Sequence, residues 1–277
     1  MSIHEVTAYE RPATIGEAFA AVAAGGIPVS GGTDVILHPR TAGATLVDLT
    51  GLAMAAIALD DDALVVGANA TLSDLLEHPA ASRLADGVIA KMLREVGSPL
   101  LRNIATVGGH LARGRLSDVI PVLLALDATI GYHDGAERSE PLAAFYRERR
   151  HTSTLIVTGI TIPVPRAPSG AAFRKFSRTG FDLAILNAAC RVDMEGGRVS
   201  AARVVVGETP ALGASVTSAE AALVGEPLGE VTIARAAAEA AAQIPARDDA
   251  RASAEYRRAL AEVLVRRCLD EISRRLS

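Results

Sequence analysis

The chain has 277 residues, 49% apolar but only 3% aromatic and without tryptophan, so it can bury a sizeable core of small aliphatic side chains yet offers few base-stacking surfaces. Its 28 basic and 32 acidic residues leave a net charge of −4, and the basic ones are dispersed until an Arg-rich tail alternating with Glu and Asp, which excludes the footprint of a nucleic-acid binder. Two cysteines, Cys190 and Cys268, cannot supply the ligands of an iron–sulfur cluster, and the six histidines lack metal-site spacing, so no metal is expected in this chain.

In chain order, Thr14-Ile15-Gly16-Glu17 is a capping box ahead of Ile15, Ala18, Phe19 and Val22, which predicts a helix that Gly25-Gly26 stops. Ile27-Pro28-Val29-Ser30 reads as a short strand feeding the loop Ser30-Gly31-Gly32-Thr33-Asp34, and Thr45–Leu49 reads as extended. These form a first α/β unit over residues 1–58. A second unit over 59–168 begins with a strand from Ala63 and a helix opened by Thr71-Leu72-Ser73-Asp74 and ended by Pro79. The pattern continues with one long helix over 80–96 closed by Gly97, a helix over 119–126, and strands at Ala128–Tyr132 and Thr154–Ile162. Arg166-Ala167-Pro168-Ser169-Gly170 reads as a linker. The third unit, 169–277, has strands at Ile185–Met194 and Val199–Val206 joined by a hairpin turn at Glu195-Gly196-Gly197. A further capping box at Thr217 to Glu220 and a terminal helix follow, with Tyr256, Leu260, Val263, Leu264 and Ile272 on its apolar face. Both cysteines lie in apolar-periodic segments and read as core residues of a reducing compartment.

The stretch from Ile104 to Ala128 organises the chain, because it runs from a second glycine pair, Gly108-Gly109, into a helix. Glycines keep Cβ atoms away from a ligand, so successive N–H groups can point at an anion such as a diphosphate. Thr33 and Thr106 can add hydroxyl donors, whereas Asp34 and Asp118 repel phosphate and suit a neutral part of a ligand such as a ribose hydroxyl. Each feature has a plain structural alternative. Glycine pairs form turns, and Ser117-Asp118 ahead of Pro121 can simply cap the following helix. Phe173, Phe176 and Phe181 read as core, Arg178 as a surface ion pair, and His38, His78 and His133 as exposed loop residues.

Pro28-Val29-Ser30-Gly31-Gly32-Thr33-Asp34-Val35, paired with Leu101-Arg102-Asn103-Ile104-Ala105-Thr106-Val107-Gly108-Gly109-His110 and Ser117-Asp118, resembles the FAD-binding medium subunit of molybdenum hydroxylases, the family of carbon monoxide and xanthine dehydrogenases. Phe173-Arg174-Lys175-Phe176-Ser177-Arg178-Thr179-Gly180-Phe181-Asp182 is similar to a third family segment. The resemblance implies an α+β protein: a two-subdomain FAD-binding fold of the vanillyl-alcohol-oxidase (PCMH) type, then a small C-terminal sheet with helices. It implies that Ser30 to Asp34, flanked by Pro28, Val29 and Val35, form one diphosphate clamp. Ala105, Thr106, Gly108, Gly109 and His110 form the other. Ser117 and Asp118 match positions near the nucleotide, Val96 and Val157 apolar positions beside the cofactor, and Lys175 the family's lysine, whose role the adjacent Arg174 could take. The segment 176–182 would flank the flavin ring.

Where the family usually has Gly-Gly-Asn, this chain has His110, and the segment before Ser117 is one residue shorter and carries Arg113 and Arg115. Those cations lie beside the expected diphosphate and can compensate for an altered loop, or be solvated. The family further implies FAD in this chain, with the molybdenum cofactor and [2Fe–2S] clusters on a large and a small partner subunit in a dimer of heterotrimers, and an external electron acceptor. The expected role is electron relay with no catalytic acid or base. A self-contained flavoprotein oxidase or reductase of the same fold, and a flavin-less assembly relative, are the alternatives. No run of membrane-spanning length and no signal-peptide pattern occur, so a cytoplasmic location is expected.

Overall fold

A computed structural model of the chain describes residues 6–35, 44–115, 117–165, 168–209, 212 and 215–277. The expectations for His38, for Arg166 and Ala167 of the linker and for the extreme N-terminus fall outside the described residues. The first unit holds β1 (Ala8–Glu10), α1 (Ile15–Ala23), β2 (Ile27–Val29) and β3 (Thr45–Asp48), with the strands in a parallel sheet of order β1-β3-β2. Both limbs of the α1 capping box form: Thr14 Oγ1 accepts from the Glu17 amide and Glu17 Oε2 accepts from the Thr14 amide, each at 3.2 Å. Ala18, Val47, Leu49, Leu52 and Ile156 make a small core under this sheet.

The second unit is an antiparallel five-stranded sheet with helices over it. It comprises β4 (Ile57–Leu59), which begins two residues ahead of the boundary expected at 59, β5 (Ala63–Gly67), α2 (Leu72–Glu77), α3 (Pro79–Arg83), α4 (Val88–Arg94), α5 (Pro99–Arg102), α6 (Val107–Arg113), α7 (Val119–Ala125), β6 (Thr129–His133), β7 (Glu137–Pro141), α8 (Leu142–Arg147) and β8 (Ile156–Pro163). The long helix expected over 80–96 is broken, because Ala85, Asp86 and Gly87 all take positive φ between α3 and α4. Helix α7 is buried at every position and packs on the strands Leu186–Glu195 and Arg198–Gly207 of the next sheet, which joins the second and third units through a shared core.

The third sheet, order β11-β10-β9, is antiparallel and built from β9 (Ser169–Phe176), β10 (Leu186–Glu195) and β11 (Arg198–Gly207). It is backed by α9 (Thr217–Leu223), α10 (Glu230–Gln243) and α11 (Ala254–Leu276). Gly196 and Gly197 turn the β10–β11 hairpin with φ of +58° and +77°. β9 begins at Ser169, so the last two residues of the expected linker are already strand, with Gly170 paired to Val192.

The capping box expected at Thr217 does not form: Val216 stands at the N-cap, and Glu220 instead accepts from the Val204 amide at 3.0 Å. On α11 the buried face runs through Leu260, Leu264, Cys268 and Ile272, while Tyr256 and Val263 are exposed. Cys190 and Cys268 are both buried in the core between the sheet and α11. Phe173 is core as expected, but Phe176 and Phe181 are exposed. His78 accepts from the Ala80 amide at 3.3 Å and so caps α3, and the His133 ring packs on Phe19, 5.2 Å between centroids. Among the described residues, no helix is long and apolar enough to cross a membrane.

Candidate functional site

The two glycine loops meet. A Cβ built on Gly31 would stand 1.7 Å from the carbonyl oxygen of Ile104, so only glycine lets the first loop close on the backbone just ahead of the second. Beside this contact lies a cleft of about 80 Å³, lined by Pro28 and Ser30 from the first unit and by Thr106, Gly108, Gly109 and Val157 from the second. Ser30 Oγ donates to Asn69 Oδ1 at 2.9 Å, and Asn69 Nδ2 donates to the carbonyls of Leu49 and Leu52. Asp34 forms an ion pair with Arg113 at 2.8 Å, tying the far end of the first loop to the last turn of α6. Gly32 has a φ of +69°, and the amides of Gly31, Gly32 and Thr33 have no acceptor among the described residues.

The second loop differs from the expectation that its amides point outward. Val107 N–H donates to Ala70, Gly108 N–H to Ala68, Gly109 N–H to Thr106 Oγ1 and His110 N–H to the Thr106 carbonyl. Thr106 is therefore an N-cap acceptor, and α6 is zipped onto the segment after β5, where Ala105 also accepts from the Leu72 amide. Gly108 serves that close packing, since a Cβ there would lie 2.6 Å from the Ala68 methyl carbon. Gly109 faces the cleft, with only Thr106 Oγ1 near its missing Cβ. The free donors at this junction thus come from the first loop, and the second supplies a side-chain-free wall.

His110 sits behind this wall with Nδ1 3.1 Å from Ser117 Oγ. Burial, reinforced by the Arg113 cation and opposed by Asp34, pushes its pKa down to about 4, so the ring is neutral at neutral pH. Ser117 Oγ also accepts from the Val119 amide at 3.2 Å, whereas Asp118 makes no side-chain cap, so the expected Ser117-Asp118 cap is carried by Ser117 alone.

Asp118 belongs to a second, buried polar cluster between the second and third units. Its carboxylate accepts from Lys175 Nζ at 2.8 Å and from Asn187 Nδ2 at 2.7 Å, and Lys175 also donates to the Glu95 carbonyl at 2.8 Å. Arg174 cannot take over from Lys175: successive strand residues point to opposite faces, and Arg174 pairs with Glu271 on α11 instead. Burial raises the pKa of Glu95, with Asp118 adding to it, and pushes Glu208 up to about 7, again with Asp118 contributing. Val96 is buried beside this cluster, outside the glycine cleft, and its carbonyl, like that of Gly97, accepts from Arg102 Nη1 at 2.9 Å.

Val29 ends β2, and Val35 is half-buried at the far end of the first loop. Asn69, Glu95, Asn187 and Glu208 were not singled out from the sequence. Asn187 carried a usable signal, a lone amide inside the apolar run from Ile185 to Cys190. The others sit in loops and at element ends with no pattern around them.

Residues 4–165 match the family described as the FAD binding domain in molybdopterin dehydrogenase, and residues 171–272 match the CO dehydrogenase flavoprotein C-terminal domain. The chain belongs to this family of FAD-binding medium subunits of molybdenum hydroxylases, and is an oxidoreductase subunit. It is 30% identical over 282 residues to the carbon monoxide dehydrogenase medium chain of Afipia carboxidovorans, covering 96% of each chain. It is 30% identical to the nicotine 6-hydroxylase medium subunit of Paenarthrobacter nicotinovorans, covering 76% of this chain and 75% of that one. The fold superposes on a reconstituted CO dehydrogenase from Oligotropha carboxidovorans with a TM-score of 0.87 and 25% identity, covering 97% and 98%.

Proposed function

We propose that the chain binds FAD with its diphosphate in the cleft between the two glycine loops, and that it relays electrons from [2Fe–2S] clusters of a small partner subunit to an external acceptor. A large partner subunit would carry the molybdenum cofactor and oxidise the substrate, the whole being a cytoplasmic dimer of heterotrimers. The observation that carries this reading is the closure of Gly31 onto Ile104, which brings the first loop, whose Gly31, Gly32 and Thr33 amides have no acceptor among the described residues, up to the backbone just ahead of the second loop. A diphosphate there would accept from Gly31, Gly32 and Thr33 and lie beside the Ser30 and Thr106 hydroxyls.

FAD held there would supply a redox group able to take electrons singly and give them up in pairs, which suits a junction between single-electron carriers and an acceptor. The protein's part is orientation and electrostatics. Asp34 is neutralised by Arg113 and so does not repel the diphosphate. Val157 gives the cleft an apolar side, and Lys175 and Asp118, held at 2.8 Å, form a fixed, desolvated pair in the contact between the second and third units.

Purification and reconstitution test the reading. The chain is expected to be yellow, to release FAD on denaturation, and to be reduced by substrate only after the partner subunits are added. A chain that takes up no FAD supports the assembly reading, and substrate turnover by the isolated chain supports the self-contained oxidase.

A further inference from the structure

Positive charge gathers at one place on this chain of net charge −4. Arg113, Arg115, Arg147, Arg149, Arg203 and Arg247 line a cavity of about 780 Å³ beyond the C-terminal end of α6, where the acids are Asp127 and Glu208. Three of the six arginines are held by carboxylates: Arg113 by Asp34 at 2.8 Å, Arg203 by Asp127 at 2.7 Å and Arg247 by Asp249 at 3.2 Å. Arg115, Arg147 and Arg149 are exposed and have no carboxylate partner among the described residues. Glu148, between two of them in sequence, pairs with Arg150 at 2.8 Å instead.

The floor of this region is apolar and buried, formed by Ile120 and Leu124 of α7, Tyr146 of α8 and Val205 of β11, and the Tyr146 hydroxyl already donates to the Leu111 carbonyl at 2.9 Å. The free cations stand on separate segments at the surface, Arg115 after α6 and Arg147 and Arg149 at and beyond the end of α8. Cations spread in this way meet a small anion one or two at a time, but meet a broad acidic surface all at once. The region is also close to the glycine junction. Helix α6 has Gly108 and Gly109 in its first turn and Arg113 at its last position, and its 7 residues span about 10 Å.

We propose that this arginine rim is where the external electron acceptor docks, and that the acceptor is a small acidic electron-carrier protein whose carboxylates meet Arg115, Arg147 and Arg149. This rests on the reading that the chain holds FAD and passes electrons outward, and it names the class of partner that takes them. Opposite charge on two surfaces speeds and orients their encounter without demanding tight binding, which suits a carrier that must leave after each transfer. Two molecules of oxidised carrier each take one electron from the two-electron-reduced flavin, and the flavin's two protons pass to solvent, which returns it to the oxidised form.

Calorimetric titration of the FAD-loaded chain with an acidic plant-type [2Fe–2S] ferredoxin tests this, at low salt and again at about 0.5 M salt. We expect saturable binding that weakens about tenfold or more in the high salt. A loss of about tenfold or more is also expected in the Arg147→Glu/Arg149→Glu variant, with a matching slowing of the reoxidation of the reduced chain by ferredoxin. Both arginines are exposed, so that variant should keep the wild-type circular dichroism and FAD content. The Arg147→Lys/Arg149→Lys variant keeps the charge and should keep most of the binding, and a basic cytochrome c should not bind. Absence of saturable ferredoxin binding, binding indifferent to salt, undiminished binding in the folded glutamate variant, or equal binding of cytochrome c would overturn the proposal. Failure to take up FAD is seen in the spectrum before any ferredoxin is added, and it removes the flavin reading and this proposal with it. FAD uptake without ferredoxin binding removes this proposal alone.

Discussion

Gly31 and Ile104 touch backbone to backbone: the position a Cβ would take on Gly31 is 1.7 Å from the Ile104 carbonyl oxygen. Two loops separated by about seventy residues therefore form one structure, and the glycine is what permits it. Gly31→Ala should push the loops apart, lowering stability by about 1–3 kcal/mol and abolishing FAD retention, as read by thermal unfolding and by FAD released per chain.

Gly109→Ala separates fold from binding. Its new methyl would meet only Thr106 Oγ1, at 3.1 Å, and it lies inside α6, where alanine is favoured over glycine by up to ~1 kcal/mol. The variant should melt at or near the wild-type temperature and bind FAD more weakly, because the methyl projects into the cleft. Undiminished FAD affinity would remove Gly109 from the clamp.

The Lys175–Asp118 pair is desolvated, with side chains only 4% and 8% exposed. Removing one partner leaves a buried charge facing the other groups of the cluster, so Lys175→Met or Asp118→Asn should each cost about 3–5 kcal/mol. The double variant should be much closer to wild type. A double-mutant cycle by urea denaturation measures the coupling, and additive losses would contradict a direct pair.

Two titrations oppose each other in mildly acidic solution. The carboxyl of Glu208 has its folded pKa raised from 4.5 to about 7, so the folded state holds more protons and stability falls as pH rises between those values. His110 has its folded pKa lowered from 6.5 to about 4, so the unfolded state holds more protons and stability rises with pH over that window. In the wild-type chain the two slopes largely cancel. Glu208→Gln should expose stability rising from pH 4 to 6.5, and His110→Asn stability falling from pH 4.5 to 7, each followed by denaturant midpoints across pH. Parallel slopes in the two variants would show that these groups do not control the dependence.

Much of this architecture was legible in the chain because local signals decided it. The Thr14 capping box, the strand feeding Ser30 and the Gly196-Gly197 hairpin depend on near neighbours and appear as expected. The failures occur where distant partners compete for the same groups. Glu220 was expected to cap its own helix but is taken by the Val204 amide, and Asp118 by Lys175 and Asn187, neither of which is close in sequence. The break at Ala85 and Asp86 has no proline or paired glycine to announce it. Nor could spacing reveal that Ala68 and Ala70 would occupy the Gly108 and Val107 amides, leaving the first loop to supply the donors.

The most direct test is a crystal structure of the FAD-loaded chain, read for the position of the two phosphorus atoms. The account predicts them between Gly32 and Gly109, beside Ser30 and within hydrogen-bond reach of the Gly31, Gly32 and Thr33 amides. Phosphorus density outside that cleft, for instance among Arg115, Arg147 and Arg149, would contradict it.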